Sequence, residues 1–207
     1  MKKQIITLMA ILTTALTVWA GYMPYYSNSI PNQALGVYQV TDTLTIYDVP
    51  DDKAKEVFVL NINYKDMQEG VFAAFVPEKN LSFLYVTDVG DGWVEVIYDK
   101  DKNLRGWVKL EDKFLFSSWL TFYNMYGRKY GLKLMKDLPE VHKVLKSAPE
   151  DDAQVVSRIN YPQVIKLTAL RGNWALVSVL DMDKTPKTGF LKWRDSNGAI
   201  YAFPEIK

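Results

Sequence analysis

The stretch DGWVEVIYDKDKNLRGWVKL, residues 91–110, holds Trp93 and Trp107, each preceded by Gly and followed by Val. An indole ring can stack on a peptide or a sugar, and it can equally fill a core. Trp174 and Phe190 sit in a similar stretch further on. For all four the plainer reading is packing, because large aromatics dominate small cores. Tyr47, Tyr64, Tyr85 and Tyr98 lie close to turn-like residues, and as exposed loop tyrosines they would offer stacking faces. Trp119 and Trp193 belong to neither pattern.

Other chemistry finds less footing. Asp99, Asp101 and Asn103 have the alternate spacing of calcium-loop ligands, but Leu104 stands where that loop needs Gly and Leu110 where it needs Glu. The segment reads as a solvated hairpin turn. PDDK at 50–53 and PEDDAQ at 149–154 read as turn chemistry too, since Pro and Asp both favour turns. The chain has no Cys, which excludes a thiol nucleophile and any disulfide. His142 is the single His, so neither a His-rich metal site nor an HExxH helix can form. A Ser–His pair lacks a Gly-x-Ser-x-Gly elbow, and no Gly-rich phosphate loop occurs. No cofactor or metal is implied. Two carboxylates could still meet in space for glycoside hydrolysis, and nothing marks a particular pair.

The elements that would position these residues are mostly strands. The chain has 207 residues, 48% hydrophobic, enough for one domain or two small ones. Its net charge of +1 offers no footprint for nucleic acid or anionic lipid. The start, MKKQIITLMAILTTALTVWAG, has a Lys2-Lys3 n-region, a short uncharged run and Val18 and Ala20 before Gly21. This is the pattern of a secretory signal peptide over 1–20, with a retained anchor as the other reading. The expected compartment is periplasmic or secreted, with no membrane span left after cleavage. An extended lead-in follows over 21–34. Beyond it, short β-branched and aromatic runs alternate with Gly, Asp and Pro turns, so the chain is expected to be mainly β.

An internal repeat organises these runs. Pro50 aligns with Pro149 and Asp51-Asp52 with Glu150-Asp151. Trp93 aligns with Trp174, Gly106 with Gly189, Trp107 with Phe190 and Val108 with Leu191. The first copy carries an insertion over 61–80. Between the copies, Leu115, Trp119, Phe122, Tyr126 and Tyr130 recur at near-helical spacing, with Ser117 or Ser118 as a cap and Gly131 as a stop. A short helix is expected there, with a strand as the alternative.

The motifs Gly92-Trp93-Val94-Glu95-Val96 and Gly106-Trp107-Val108, with their looser echo at Asn173-Trp174-Ala175-Leu176-Val177 and Gly189-Phe190-Leu191, resemble those of bacterial SH3-like domains of the cell envelope. The first strand departs from that family's pattern, with Thr45-Ile46-Tyr47 and Val49-Pro50 in place of Asn-Val-Arg and Gly-Pro. The resemblance implies two small SH3-like barrels in tandem, at 35–113 and 138–207, joined by a linker at 114–137. It also implies a ligand groove lined by loop aromatics, for which Tyr47, Tyr64, Tyr85, Tyr98, Trp119 and Trp193 are the candidates. The expected function is a non-catalytic binding module for a peptide, a cell-wall stem peptide or other peptidoglycan fragment, or an envelope protein. The alternatives are an assembly protein that forms oligomers through the linker and insertion, and an unrecognised envelope hydrolase. The apolar run GVFAAFVP within the insertion is expected either to form a hairpin over the seam between the copies or to bind a partner.

Overall fold

The computed structural model describes residues 25–26, 30–31, 33–62, 71–111, 115–160, 163–180 and 184–206. The predicted signal peptide, most of the lead-in, Tyr64 and part of the insertion lie outside the described residues. The protein is mainly β, as its composition of short alternating runs implies. The strands of its first half are β1 Tyr25–Tyr26, β2 Gly36–Gln39, β3 Leu44–Tyr47, β4 Glu56–Leu60, β5 Ala74–Val76, β6 Leu81–Gly90, β7 Trp93–Asp99, β8 Leu104–Lys109 and β9 Phe116–Ser118. Those of the second half are β10 Leu132–Leu134, β11 Val144–Lys146, β12 Val155–Arg158, β13 Lys166–Arg171, β14 Trp174–Leu180, β15 Pro186–Lys192 and β16 Ala202–Pro204. Among the described residues no helix is long and apolar enough to cross a membrane.

The repeat seen in the sequence is a repeat of topology. The first half contains the strand order β4-β3-β8-β7-β6, and the second contains β12-β11-β15-β14-β13. Each strand of the second run occupies the place of its counterpart in the first. Registers agree residue by residue: Trp93 faces Lys109 as Trp174 faces Lys192, and Val96 faces Gly106 as Val177 faces Gly189. The irregularities match too. A β-bulge at Ile46/Tyr47 recurs at Leu145/Lys146, and one at Val86/Asp88 recurs at Leu167/Ala169. Bulges re-aim a strand, so matched bulges give both sheets the same curvature. A short antiparallel pair completes each half, β2 with β9 and β10 with β16.

None of these sheets closes among the described residues. The expectation of closed barrels is corrected to this extent. β4 and β12 end their sheets as open edges, each with two exposed valines, Val57 and Val59 on one and Val155 and Val156 on the other.

Gly106 and Gly189 have a common cause. A Cβ on Gly106 would lie 2.5 Å from Ile46 Cγ2 and 2.8 Å from the Tyr47 carbonyl oxygen. A Cβ on Gly189 would lie 2.9 Å from the Lys146 carbonyl oxygen. In both halves the hairpin carrying the acidic turn crosses directly over this strand, and only Gly lets the backbones approach so closely.

The region between the copies is helical over 119–130. The Ser118 hydroxyl accepts from the Thr121 N–H, which caps the first turn. A π-helical turn, Tyr123–Gly127, interrupts the segment. Gly131, at φ 89°, ends it. Leu115, expected on the helix, lies before β9 instead. The helix buries Trp119, Phe122 and Tyr123. These rings belong to one core cluster that takes in Val37, Phe83, Tyr85 and Ile97 from the first half and Ile165, Val177, Leu191, Trp193 and Phe203 from the second. The seam is therefore dry and aromatic. Phe122 lies 5.1 Å from Phe83 and 5.5 Å from Phe203, ring centre to ring centre, and so bridges the halves. The buried Tyr123 hydroxyl donates to the Ala202 carbonyl.

The apolar run of the insertion is core. Val71 to Val76 are all buried, and β5 pairs antiparallel with the start of β6 to form a hairpin. A strand buried on both faces reads as a continuous apolar run, which explains GVFAAFVP without an exposed patch. Ala73, Ala74 and Val76 face the cluster at the seam, as the hairpin reading expected, and Phe72 and Phe75 face a second cluster within the first half.

Candidate functional site

The site is built around Trp93, which opens β7 just after a tight turn. Asp91 and Gly92 both hold positive φ there, 41° and 82°, which suits a two-residue hairpin turn. The turn sets the indole at one end of the sheet. Tyr47, last in β3, meets it edge-on with ring centres 5.7 Å apart. Lys109, paired across from Trp93, places its ammonium 5.9 Å from the indole centre. Asp52, from the acidic turn between β3 and β4, accepts a hydrogen bond from that ammonium at 2.5 Å. This bond holds the Lys109 pKa above its usual value. The ion pair is exposed and adds little stability. Its consequence is placement, since Lys109 and Asp52 hold the acidic turn beside the Tyr47–Trp93 pair.

These residues line a cleft of about 380 Å³ together with Thr41, Asp42, Thr43, Glu111 and Leu115. Its floor is buried sheet, with Tyr38, Val40, Leu44 and Val108 below the opening. Its rim holds three carboxylates, Asp42, Asp52 and Glu111, and one ammonium, Lys109, already paired. Such a surface suits a neutral or cationic group with an apolar face. Among the described residues, no cluster of His, Asp and Glu is placed to hold a metal ion.

The second half repeats the triad. Lys192 places its ammonium 5.6 Å from the Trp174 ring centre and pairs with Asp151 at 2.7 Å. In the place of Tyr47 stands Lys146, whose ammonium donates to the carbonyls of Asp151 and Ala153. Above this end lie His142 and Tyr201, stacked with ring centres 3.9 Å apart and planes 22° apart. The Tyr201 hydroxyl donates to Asp195 at 3.1 Å. Burial and the nearby Lys192 ammonium hold the His142 pKa below its ordinary value, with Asp151 and Asp195 opposing. Burial raises the Asp195 pKa, but hydrogen bonds from the Ala199 N–H, the Tyr201 hydroxyl and the Asn197 N–H bring it below the usual carboxylate value.

Tyr64 lies outside the described residues, and of the other five aromatics proposed from sequence Tyr47 lines the cleft. Tyr85, Trp119 and Trp193 are buried at 1%, 3% and 0% exposure, so their expected availability to a ligand is corrected. The Trp119 and Trp193 indole N–H groups donate to the carbonyls of Ala34 and Gly172, which satisfies them inside the protein. Tyr98 is half-buried and stacks on Phe58, with ring centres 4.9 Å apart. Tyr47, Tyr85 and Tyr98 lie in strands where loops were expected. Trp93 and Trp174 are buried, and Trp107 and Phe190 are half-buried, as their packing role predicts. The 99–105 turn is the expected hairpin. Asp99 accepts from both the Lys102 N–H and the Lys102 ammonium, which lowers its pKa.

Sequence reasoning missed Lys109, Asp52 as its partner, Thr43 and Leu115. For the first two a signal existed, because the alignment of Val108 with Leu191 extends one residue further to Lys109 and Lys192. Thr43 and Leu115 stand out only once the strands are in register. No protein-family model matches the chain, and no curated protein matches it either.

Proposed function

We propose that this chain is an exported, non-catalytic binding module built from two bacterial SH3-like units, and that it recognises a peptide, a cell-wall stem peptide or an envelope protein through the cleft of its first unit. The observation that carries this reading is the open cleft beside Tyr47 and Trp93. It is concave, its rim is polar, and Tyr47, Trp93 and Leu115 stand among its lining residues. The strand order shared by the two five-strand runs supports the reading of two like units, and the Gly-Trp-Val motifs support the SH3-like assignment. The signal-like start supports export to the periplasm or beyond. Trp119, Phe122 and Tyr123 of the linker and Val71 to Val76 of the insertion are spent on internal packing, while Leu120 and Met125 of the linker stay exposed.

The test is retention. The full chain is immobilised and offered purified peptidoglycan and, separately, envelope lysate. A Thr43→Trp variant, whose new ring fills the cleft, is run in parallel. Retention by the parent and its loss in the folded variant supports the reading. Retention by neither chain, or equal retention by both, overturns it.

A second reading, assembly, draws on the open edges β4 and β12 and their exposed valines, since an unpaired edge can take another strand. Light scattering over a range of concentrations separates the two. A stable oligomer that retains no ligand favours assembly.

A further inference from the structure

The two units differ at one place in a way that describes a ligand. β2 and β9 form a short antiparallel pair in the first unit, as β10 and β16 do in the second. The Gln39 N–H donates to the Leu115 carbonyl at 2.7 Å, and the Met135 N–H donates to the Tyr201 carbonyl at 2.9 Å. Leu115 and Tyr201 thus each lie one residue before the short strand, β9 or β16, of their unit. The hairpins align likewise. Leu44 pairs with Leu60 in one, and the Ile159 N–H donates to the Lys143 carbonyl in the other. Thr43 therefore occupies the position of His142.

In the second unit these positions carry two flat rings in face-to-face contact. In the first they carry a threonine and a leucine, and both line the cleft. The connection between β2 and β3 is also the short 40–43, where the second unit has the longer 135–143 with its half-buried Leu138. At the position from which Thr43 lines the first unit's cleft, the second unit thus carries His142 with the Tyr201 ring stacked on it. The Trp–Lys–Asp triad recurs in both units, while Lys146 stands in the second where Tyr47 stands in the first.

We infer that the first unit's cleft accepts a planar aromatic side chain carried on an extended peptide segment of a partner protein, in the manner of Tyr201 on His142. The ring would lie over Thr43 and Leu115, against the Tyr47–Trp93 pair. The rim carboxylates Asp42 and Glu111 favour basic or neutral residues beside the ring, because acidic neighbours would face like charge. This inference rests on the binding-module reading above and names its ligand class. A stem peptide without an aromatic residue is the competing occupant.

The test uses the ¹⁵N-labelled full chain and two blocked peptides, acetyl-Lys-Gly-Tyr-Gly-Lys-amide and the same peptide with Ala for Tyr. The expected result is saturable shifts of the Trp93 indole N–H and of the amides of Thr43, Tyr47 and Leu115 with the Tyr peptide. The Ala peptide should bind at least about tenfold more weakly, about 1.4 kcal/mol, which is within the range of an aromatic pair. Grafting the second unit's pair, Thr43→His with Leu115→Tyr, should abolish binding while the dispersed spectrum persists. If the graft does not fold, Tyr47→Ala replaces it, with an expected loss of at least about fivefold. His142→Thr should leave the affinity for the Tyr peptide unchanged.

Equal binding of the two peptides overturns the inference, as do shifts that map away from the cleft. If peptidoglycan is retained through the cleft while the Tyr peptide fails to bind, the aromatic ligand is wrong and the binding-module reading survives. If Thr43→Trp has no effect on any retention, both fall.

Discussion

Replacing Phe122 by Ala removes the ring that joins the two halves. Phe122 is fully buried and its ring centre lies 5.0 to 5.5 Å from those of Phe83, Tyr126 and Phe203. Two of those partners belong to different units and the third to the helix between them. The substitution leaves a cavity that rigid strands on both sides cannot collapse, so the expected cost is at the usual level for a buried Phe, about 3–5 kcal/mol. For a chain of this size each kcal/mol lowers the melting temperature by about 2–4 °C, which gives a fall of roughly 6–20 °C. The more telling result is cooperativity. Both units share one core cluster through the helix, so they should unfold together in parent and variant alike. Calorimetry reads the midpoint. The NMR signals of Trp93 in the first unit and His142 in the second report each half separately during urea unfolding. A loss of less than about 1 kcal/mol would refute the cavity reasoning, and separate transitions for Trp93 and His142 in the parent would refute the shared core.

Four further outcomes follow from the geometry. Gly106→Ala and Gly189→Ala should each cost about 1–3 kcal/mol in chemical denaturation, because each new methyl meets the hairpin that crosses it. The single His should titrate below 6.5 in the folded chain by proton NMR, and Lys192→Met should raise it by removing a cation beside the ring. Because the folded pKa is depressed, the unfolded chain takes up the proton first, so the His142 contribution to stability is lost as pH falls from 6.5 through the folded pKa. His142→Gln should flatten that part of the curve. Burial lowers Lys133 from 10.5 to about 8, opposed by Glu205. Stability should therefore rise between about pH 8 and pH 10.5, and Lys133→Met should remove the rise.

Much of the architecture was legible because it rests on local patterns. Gly-Trp-Val at 92–94 and 106–108, with its echo near Trp174 and Phe190, marks two adjacent strands of each unit, and the registers bear this out. The acidic turns after Val49 and Ala148 announce themselves through Pro and Asp. Ser118 and Gly131 bound the helix because capping and positive φ are local demands.

What failed was any inference about which aromatic faces water. Trp119 and Trp193 look unconstrained by the repeat because they serve the seam between copies, a contact that exists only in three dimensions. Tyr85 looked like a loop residue, yet it sits on a strand that runs unbroken from Leu81 to Gly90 and is buried by the helix. The cleft was hidden for the opposite reason. It is lined by Thr43 and Leu115, neither of them aromatic, and Thr43 gains its meaning from the ring of His142 at the same position of the other unit. An aromatic motif points to the fold here, and the missing aromatics point to the site.

The measurement that bears most directly on this account is a chemical-shift map of the full chain titrated with solubilised peptidoglycan fragments and with the tyrosine peptide. The account predicts perturbations confined to one patch, Gln39 to Thr45 with Tyr47, Trp93, Lys109 and Leu115, and an unmoved His142–Tyr201 pair. Perturbations centred on the second unit, or no saturable shift with either ligand, would contradict it.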